Sequence, residues 1–300
     1  MIRITKNVEE AKLITHDGRF HADEVMATAI LSRIFKDAVV CRVSELPEKK
    51  PEDAIVYDIG DGEFDHHQSH SKKMRFNGVA YSSCGLIWKA YGKEIVKNTS
   101  NPKLAFENID KRLIMGIDAS DSRTSIYSEK KDVKSMNIAE AVAMFNPTWN
   151  SLEDSDEAFL RAVNFAGEIF DNTLNNAIGK IEAKPLIEEA IEKSSNHIMV
   201  LEKFIPWQQH LFESHNIKAQ TIWFTIFPSK RGGYNWETVT LDLNTKRLRK
   251  DVPYEWKGKS GEKIKKLTGV PTAAFCHLNG HIGGAETLEG AIQMLEKIIK

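Results

Sequence analysis

The sequence predicts an α/β protein: an N-terminal parallel-sheet domain with flanking helices, a long connecting helix, and a smaller C-terminal α+β domain. Three observations carry this prediction. Short apolar runs alternate with helical periodicity over the N-terminal half, the pattern of a parallel sheet. A long apolar stripe at helical spacing follows, and beyond about Asn196 the pattern becomes strand-like. The division expected is residues 1–152, 153–195 and 196–300.

Taken in order, Ala11–Thr15 reads as a buried strand, and a glycine-containing loop leads to a helix from about Ala22. Val25, Met26, Ala29, Ile30 and Ile34 lie on one stripe of that helix. Ala38–Val43 and Ala54–Ile59 are the next strands. Helices follow at Ser83–Tyr91 with Gly92 as the stop, at Pro102–Gly116 with Pro in the first turn, and at Ile138–Phe145 with Asn137 as cap. Phe159, Ala162, Val163, Ala166, Ile169, Phe170, Leu174, Ala177, Ile178 and Ile181 form the stripe of the connecting helix, which Pro185 is expected to break or kink. Strands at Ile198–Leu201, Thr221–Phe227, Thr238–Leu243 and Ala273–His277 and a closing helix from about Thr287 to Ile299 complete the second domain.

The chain has 300 residues, 41% hydrophobic and 28% charged, which excludes disordered, collagen-like and low-complexity classes. A net charge of −1 excludes a whole-molecule field that draws the chain onto nucleic acid or membrane, so any polyanion site is local. The apolar run Trp223–Phe227 is far short of the roughly 20 residues of a membrane span, and Met1–Glu10 has no signal-peptide core. Cys41, Cys84 and Cys276 lack Cys-x-x-Cys spacing, which argues against a disulfide framework or zinc ribbon. A cytoplasmic protein is expected, without membrane partners.

Of 10 histidines, His16, His21, His66, His67 and His70 crowd into one short stretch of the first domain. Four segments supply acids and imidazoles together: His16 to Glu24, Tyr57-Asp58-Ile59-Gly60, Asp65-His66-His67-Gln68, and Gly116-Ile117-Asp118-Ala119-Ser120-Asp121. One such segment alone is as often a helix cap or a solvated loop as a ligand set; four in this order in one domain are not. Carboxyl ends of parallel strands share one edge, so His16 and Asp58 can converge there with the loops that follow them. Imidazole and carboxylate without thiolate suit Mn, Fe or Zn better than Ca or Mg, and a carboxylate can bridge two cations. Paired cations roughly 3.5 to 4 Å apart activate a water and neutralise charge growing on a phosphoryl group.

Asp65-His66-His67, with a His/Asp motif upstream and an acidic motif downstream, resembles the DHH phosphoesterase superfamily, so the first domain is expected to be a DHH-type metal-binding catalytic domain. A closer resemblance rests on Thr15-His16-Asp17-Gly18-Arg19-Phe20-His21-Ala22-Asp23-Glu24-Val25, Phe64-Asp65-His66-His67-Gln68, Ser82-Ser83-Cys84-Gly85-Leu86-Ile87, Asn146-Pro147-Thr148-Trp149, Pro206-Trp207 and the run Phe275 to Ala285. These motifs resemble the melanocyte-proliferating-gene exonuclease family, also called metal-dependent protein hydrolases, nearly end to end. The resemblance implies that His16, His21 and Asp58 hold one metal while Asp23, Asp58, His66 and an acid of the fourth motif hold another, Asp58 bridging. Asp118 is the leading choice for that acid and Asp121 the alternate. The family continues this motif as Asp-Asn-Gly where the present chain has Asp121-Ser122-Arg123. His67 is then expected to face the substrate phosphate or protonate the leaving oxygen, and Asp65 to orient an imidazole. Two divalent ions are implied, Mn first, with Zn, Fe or Mg as alternatives.

Between Lys246 and Lys266 nine Lys or Arg stand against three acids, a local net of +6, which suits either a phosphate track or a solvated face. Within it, Arg249-Lys250 resembles part of the Ser-Arg-Lys phosphate-binding motif of family II pyrophosphatases, and Trp256 offers a stacking platform. Gly280, Gly283 and Gly284, with His277 and His281, are read as a loop before the final helix whose backbone N–H groups meet an anion, similar to the substrate-binding glycine motif of DHH exonucleases.

The chemistry by itself supports a two-metal phosphoesterase. The resemblance implies a 3′-5′ exonuclease on single-stranded nucleic acid, RNA preferred, and a homodimer is compatible with it. The alternatives are a hydrolase of small phosphates (pyrophosphate, short oligonucleotides or a cyclic dinucleotide) and a non-catalytic nucleic-acid-binding module.

Overall fold

The computed structural model describes residues 2–67, 73–124 and 135–300; Gln68 and His70 lie outside the described residues. The chain separates into two compact units, Met1–Ile181 and Glu182–Lys300. Its α/β architecture is the one expected, a parallel sheet followed by a long helix and a second, mixed sheet.

The first unit carries β1 (Arg3–Thr5), β2 (Leu13–His16), α1 (Ala22–Ile34), β3 (Val39–Val43) and β4 (Ile55–Val56). The four strands are parallel in the order β1-β3-β2-β4. Hydrophobic patterning placed β2 and β3 because both are buried runs rich in β-branched residues. β1 is not marked by the sequence pattern, since its three residues carry no apolar run and are exposed or partly exposed. β4 is only two residues long, because the chain turns at Asp58, whose φ of +59° lies in the left-handed region.

Ala22–Leu31 of α1 are buried without a break, Asp23 and Glu24 included, so this helix is enclosed rather than amphipathic. Each Val, Ile, Leu or Met so buried contributes about 1.5–3 kcal/mol relative to exposure. The next helix, α2 (Ser83–Val96), runs through Gly92 instead of stopping there. A Cβ at Gly92 would lie 2.5 Å from the Trp88 ring, so this glycine serves the packing of a fully buried indole. The expected single helix from Pro102 is three pieces: α3 (Pro102–Ile109), a π-helical turn Asp110–Ile114, and α4 (Met115–Asp121). The wide turn rotates the faces of α4 out of phase with those of α3. After α5 (Ile138–Ala143), capped by Asn137 and Glu140 together, α6 (Ser155–Glu192) is one 38-residue helix that continues through Pro185. Phe159, Ala162, Val163, Ala166, Phe170 and Ala177 of its apolar stripe are buried in the core of the first unit.

The second unit holds β5 (Ile198–Val200), α7 (Gln208–Glu213), α8 (Lys218–Thr221), β6 (Phe224–Pro228), β7 (Tyr234–Thr238), β8 (Lys259–Ser260), α9 (Glu262–Thr268), β9 (Ala273–Cys276), β10 (Ile282–Ala285) and α10 (Leu288–Ile299). They form a mixed six-stranded sheet, β5-β6-β7-β10-β9-β8, in which only β5 and β6 pair in parallel. The strand expected at Thr238–Leu243 lies earlier, at β7, because the positive-φ pair Gly232-Gly233 makes a tight turn that brings Tyr234–Thr238 back along β6.

Candidate metal centre

β2 and β4 are parallel neighbours, so His16 at the end of β2 and Asp58 just past β4 leave the sheet at the same edge. From β2 the chain loops into α1, whose first turn carries Asp23 and Glu24, with His21 at the cap. Arg42 of β3 pins the loop by donating to the Gly18 carbonyl at 2.7 Å, and it pairs with Asp156 at 3.0 Å. Asn146 clasps Phe20, accepting from its N–H at 3.0 Å and donating to its carbonyl at 2.8 Å, next to His21.

These supports gather the ligand-type atoms. His16 Nε2 lies 3.1 Å from Glu24 Oε1 and 3.2 Å from Asp58 Oδ2. His66 Nδ1 lies 3.1 Å from Asp58 Oδ1, and its Nε2 lies 3.0 Å from Asp121 Oδ2. Asp58 thus turns one oxygen to each imidazole, the disposition a bridging carboxylate needs. His16, His21 and Glu24 bring ligand atoms within 4.8 Å of one another, as do Asp23, His66 and Asp121, and Asp23, Glu24 and Asp58. His67 is exposed, its Nδ1 at 2.9 Å from Asp65 Oδ1, while Asp65 also accepts from the backbone N–H groups of Asp61 and His67.

The electrostatics of this cluster are unbalanced without a cation. Both Asp23 carboxylate oxygens and Glu24 Oε2 are buried with no hydrogen-bond partner, an expensive arrangement for acids that stand beside Asp58. Burial, then the charges of Asp58, Glu24 and Asp121, push the Asp23 carboxyl well above its ordinary range. Hydrogen bonds to Asp58 and Glu24 push His16 up to about 10. Burial opposes charge on His66, yet Asp121 and Asp58 outweigh it and raise this group also to about 10. Burial likewise opposes charge on Asp58, but His16 and His66 hold its carboxyl well below the usual range. Protons here occupy places that divalent cations suit: buried, unpartnered carboxylate oxygens among imidazoles are the donor set of Mn, Fe or Zn. The residues therefore fit the group.

Asp118, the leading choice for the fourth motif, stands outside this cluster. It is fully buried, and its Oδ1 accepts from Ser82 N, Ser82 Oγ and Gly85 N while Oδ2 pairs with Arg75 at 2.5 Å. Arg75 in turn takes Asp110 in the π turn through two bonds, at 2.7 and 2.9 Å. Asp121, one turn on, is the acid beside Asp23 and His66. The cluster borders a cavity of about 310 Å³, lined among others by His21, Asp23, Asp58, His66, His67 and Asp121.

The second unit departs from several expectations. Arg249 donates to the carbonyls of Ala219 and Ile222 at 2.6 and 2.8 Å, so its guanidinium is committed to the fold rather than to a phosphate. Lys250 Nζ sits 5.5 Å from the centroid of the Trp223 ring. Trp256 is buried in the core and offers no stacking face. Gly283 and Gly284 are in strand β10, not in a loop: a Cβ on Gly283 would lie 2.1 Å from the Trp236 ring, and one on Gly284 2.8 Å from that of Phe275. Gly280, with φ of +72°, makes the β9–β10 turn, and His277 and His281 meet edge to face at 4.7 Å.

The model of the MYG1 exonuclease family, described as "Uncharacterised protein family (UPF0160)", matches residues 12–299. The chain belongs to this family. It is 33% identical to the MYG1 protein of Saccharomyces cerevisiae over 333 residues, covering 97% of each chain. It is 31% identical to the MYG1 protein of Schizosaccharomyces pombe, covering 96% of this chain and 97% of that one. The human relative, named MYG1 exonuclease, is 29% identical over 97% of this chain and 86% of its own. No solved structure matches the chain.

Two residues at this MYG1-family centre were not singled out from the sequence. Glu24 reads as an ordinary helix-start acid, and it does accept the His21 N–H at 2.7 Å, but its burial against His16 makes it part of the cluster. Ser83, at the start of α2, sets its hydroxyl 3.0 Å from Asp58 Oδ1 and 3.2 Å from His66 Nδ1. The signal for Glu24 is its adjacency to Asp23; for Ser83 it is its place in the run Ser82 to Ile87, which gives the hydroxyl no role without the fold. No helix among the described residues is long and apolar enough to cross a membrane.

Proposed function

We propose that this chain is a metal-dependent nuclease that trims single-stranded RNA from its 3′ end, working with Mn. The observation that carries the metal part of this reading is the set of buried, unpartnered carboxylate oxygens on Asp23 and Glu24 beside Asp58, His16 and His66, at the wall of an open cavity. His16, His21 and Glu24 would hold one cation and Asp23, His66 and Asp121 the other, with Asp58 reaching both sets through His16 and His66. The name exonuclease on the human and mouse relatives supports a nucleic-acid substrate, as do Lys246, Arg247, Lys259, Lys263 and Lys266, all exposed on the second unit.

Divalent cations bound here supply Lewis acidity to the phosphoryl oxygens and lower the pKa of water. The protein's own groups do the rest. Asp58 is held in position by Ser83 and by its backbone bond to the Phe64 carbonyl at 3.1 Å. Asp65 accepts at His67 Nδ1, which fixes the proton on that nitrogen and leaves Nε2 to hold or give a proton at the leaving oxygen. The enclosed floor around Asp23 and Asp58 keeps bulk water from the ligand atoms.

The test is a time course of Mn-supplemented protein on 5′-labelled single-stranded RNA, with Asp58→Ala alongside. A ladder shortening from the 3′ end, absent in the variant, is the expected result; intact RNA with the wild-type protein overturns the reading. A cavity of about 310 Å³ is at the small end of ligand pockets and also admits pyrophosphate or one end of a short oligonucleotide, so small phosphates are assayed as the second reading.

A further inference from the structure

Helix α4 ends in a Schellman arrangement: Ser122 is the cap, the Arg123 N–H donates to the Ser120 carbonyl at 3.2 Å, and the Thr124 N–H to that of Ala119 at 2.8 Å. The residue after the cap must then be left-handed, and glycine is the usual occupant because it has no Cβ to clash. Here the position is Arg123, with φ of +54°. A long cation has been placed where the backbone disfavours any side chain, and the same residue lines the cavity beside Asp121. Among the described residues lining that cavity it is the only Lys or Arg.

Asp23, Glu24, Asp58 and Asp121 carry four negative charges, which two divalent cations cancel without surplus. At long range a phosphodiester approaching the cavity therefore meets no net positive charge from the ligand set, and a net negative one if only one cation is bound. Ala22, Ile117, Ala139 and Ala143 supply the apolar wall of the same lining. A ribose and base suit that wall, and the volume admits about one nucleotide, not a duplex.

We propose that Arg123 is a substrate-binding residue that takes a phosphate of the terminal nucleotide while the apolar wall takes its sugar and base. This rests on the nuclease reading above and adds the group that anchors the substrate. A guanidinium is suited to the task, since its planar fork meets two phosphate oxygens at once.

The experiment uses Arg123→Gly and Arg123→Lys in the full chain, with a fluorescent, phosphorothioate-linked single-stranded oligoribonucleotide that resists hydrolysis. Binding is followed by anisotropy in Mn over a salt series. Arg123→Gly is expected to bind about tenfold or more weakly, and its log–log salt slope to fall by about 0.7, one phosphate contact on a single strand. Arg123→Lys is expected to keep the slope and recover part of the affinity. The melting temperature of Arg123→Gly is expected to be no lower than that of wild type, because glycine relieves the left-handed position, and Mn binding by calorimetry is expected to be unchanged. Wild-type affinity and slope in Arg123→Gly overturn the proposal while leaving the nuclease reading intact. A loss of Mn binding or of fold in that variant overturns it too, by making the residue structural. A wild-type protein that does not bind the oligonucleotide overturns both readings together.

Discussion

Replacing Asp118 and Asp121 one at a time with Asn should give opposite phenotypes, although the two residues lie three positions apart on one short helix. The Asp118 carboxylate is fully buried and neutralises Arg75, itself 5% exposed. Asp118→Asn keeps an acceptor for Ser82 and Gly85 but sets an amide or a neutral oxygen against the Arg75 guanidinium, 2.5 Å away in the native pairing. Breaking a buried ion pair costs about 3–5 kcal/mol. Arg75 retains its two bonds to Asp110, so the lower end, about 3 kcal/mol, applies. For a unit the size of Met1–Ile181 that is a fall of about 6–12 °C in melting temperature. Asp121→Asn removes a half-buried carboxylate from beside Asp23 and weakens one bond to His66, so metal-free stability should change by less than about 1 kcal/mol. Its Mn affinity should drop by at least about 100-fold, more than the loss of an outer partner of a ligand causes. Circular dichroism melts of metal-free protein and Mn titration calorimetry read the two effects separately. Weak Mn binding with unchanged melting in Asp118→Asn, or unfolding in Asp121→Asn, would refute the assignment of the fourth motif to Asp121.

Metal binding should release protons. His16 and His66 are held protonated to about 10 in the metal-free centre, and a cation takes the lone pair of a neutral imidazole. At pH 8 binding should therefore expel about two protons from these imidazoles, and affinity should weaken about tenfold per imidazole for each unit the pH falls. Calorimetry in two buffers of different ionisation enthalpy measures this, and zero net release would contradict it. In the second unit Gly283→Ala should destabilise by about 1–3 kcal/mol or more, since its Cβ would overlap the Trp236 ring. Urea unfolding followed by tryptophan fluorescence tests it; wild-type stability with impaired RNA binding would restore the anion-loop reading of these glycines.

Much of the first unit was legible because its signals are local. A buried β-branched run, a loop and an apolar helix fix β2 and α1, and that order alone puts His16, His21 and Asp23 within reach of one another. Asp58 could be added because parallel neighbours share an edge. The choice between Asp118 and Asp121 could not be read, since it depends on the π turn at Asp110–Ile114, and one extra residue in a turn leaves no mark on sequence periodicity. Glu24 was hidden for another reason: its capping bond to His21 is what any first-turn acid makes, and only its burial distinguishes it.

The second unit separates what the two levels of description decide. Sequence by itself determined the fold class, the charge balance, the clustering of imidazoles and carboxylates, and the family to which the chain belongs, because all of these depend on residue identity and spacing. It also marked Arg249, Trp256, Gly283 and Gly284, but without direction. The tertiary structure alone decided that Arg249 serves the carbonyls of Ala219 and Ile222, that Trp256 is core, and that the two glycines admit the Trp236 and Phe275 rings. A basic, aromatic or glycine residue has the same chemistry facing in or out; what it does depends on which neighbours long-range packing brings to it, and no local pattern encodes that.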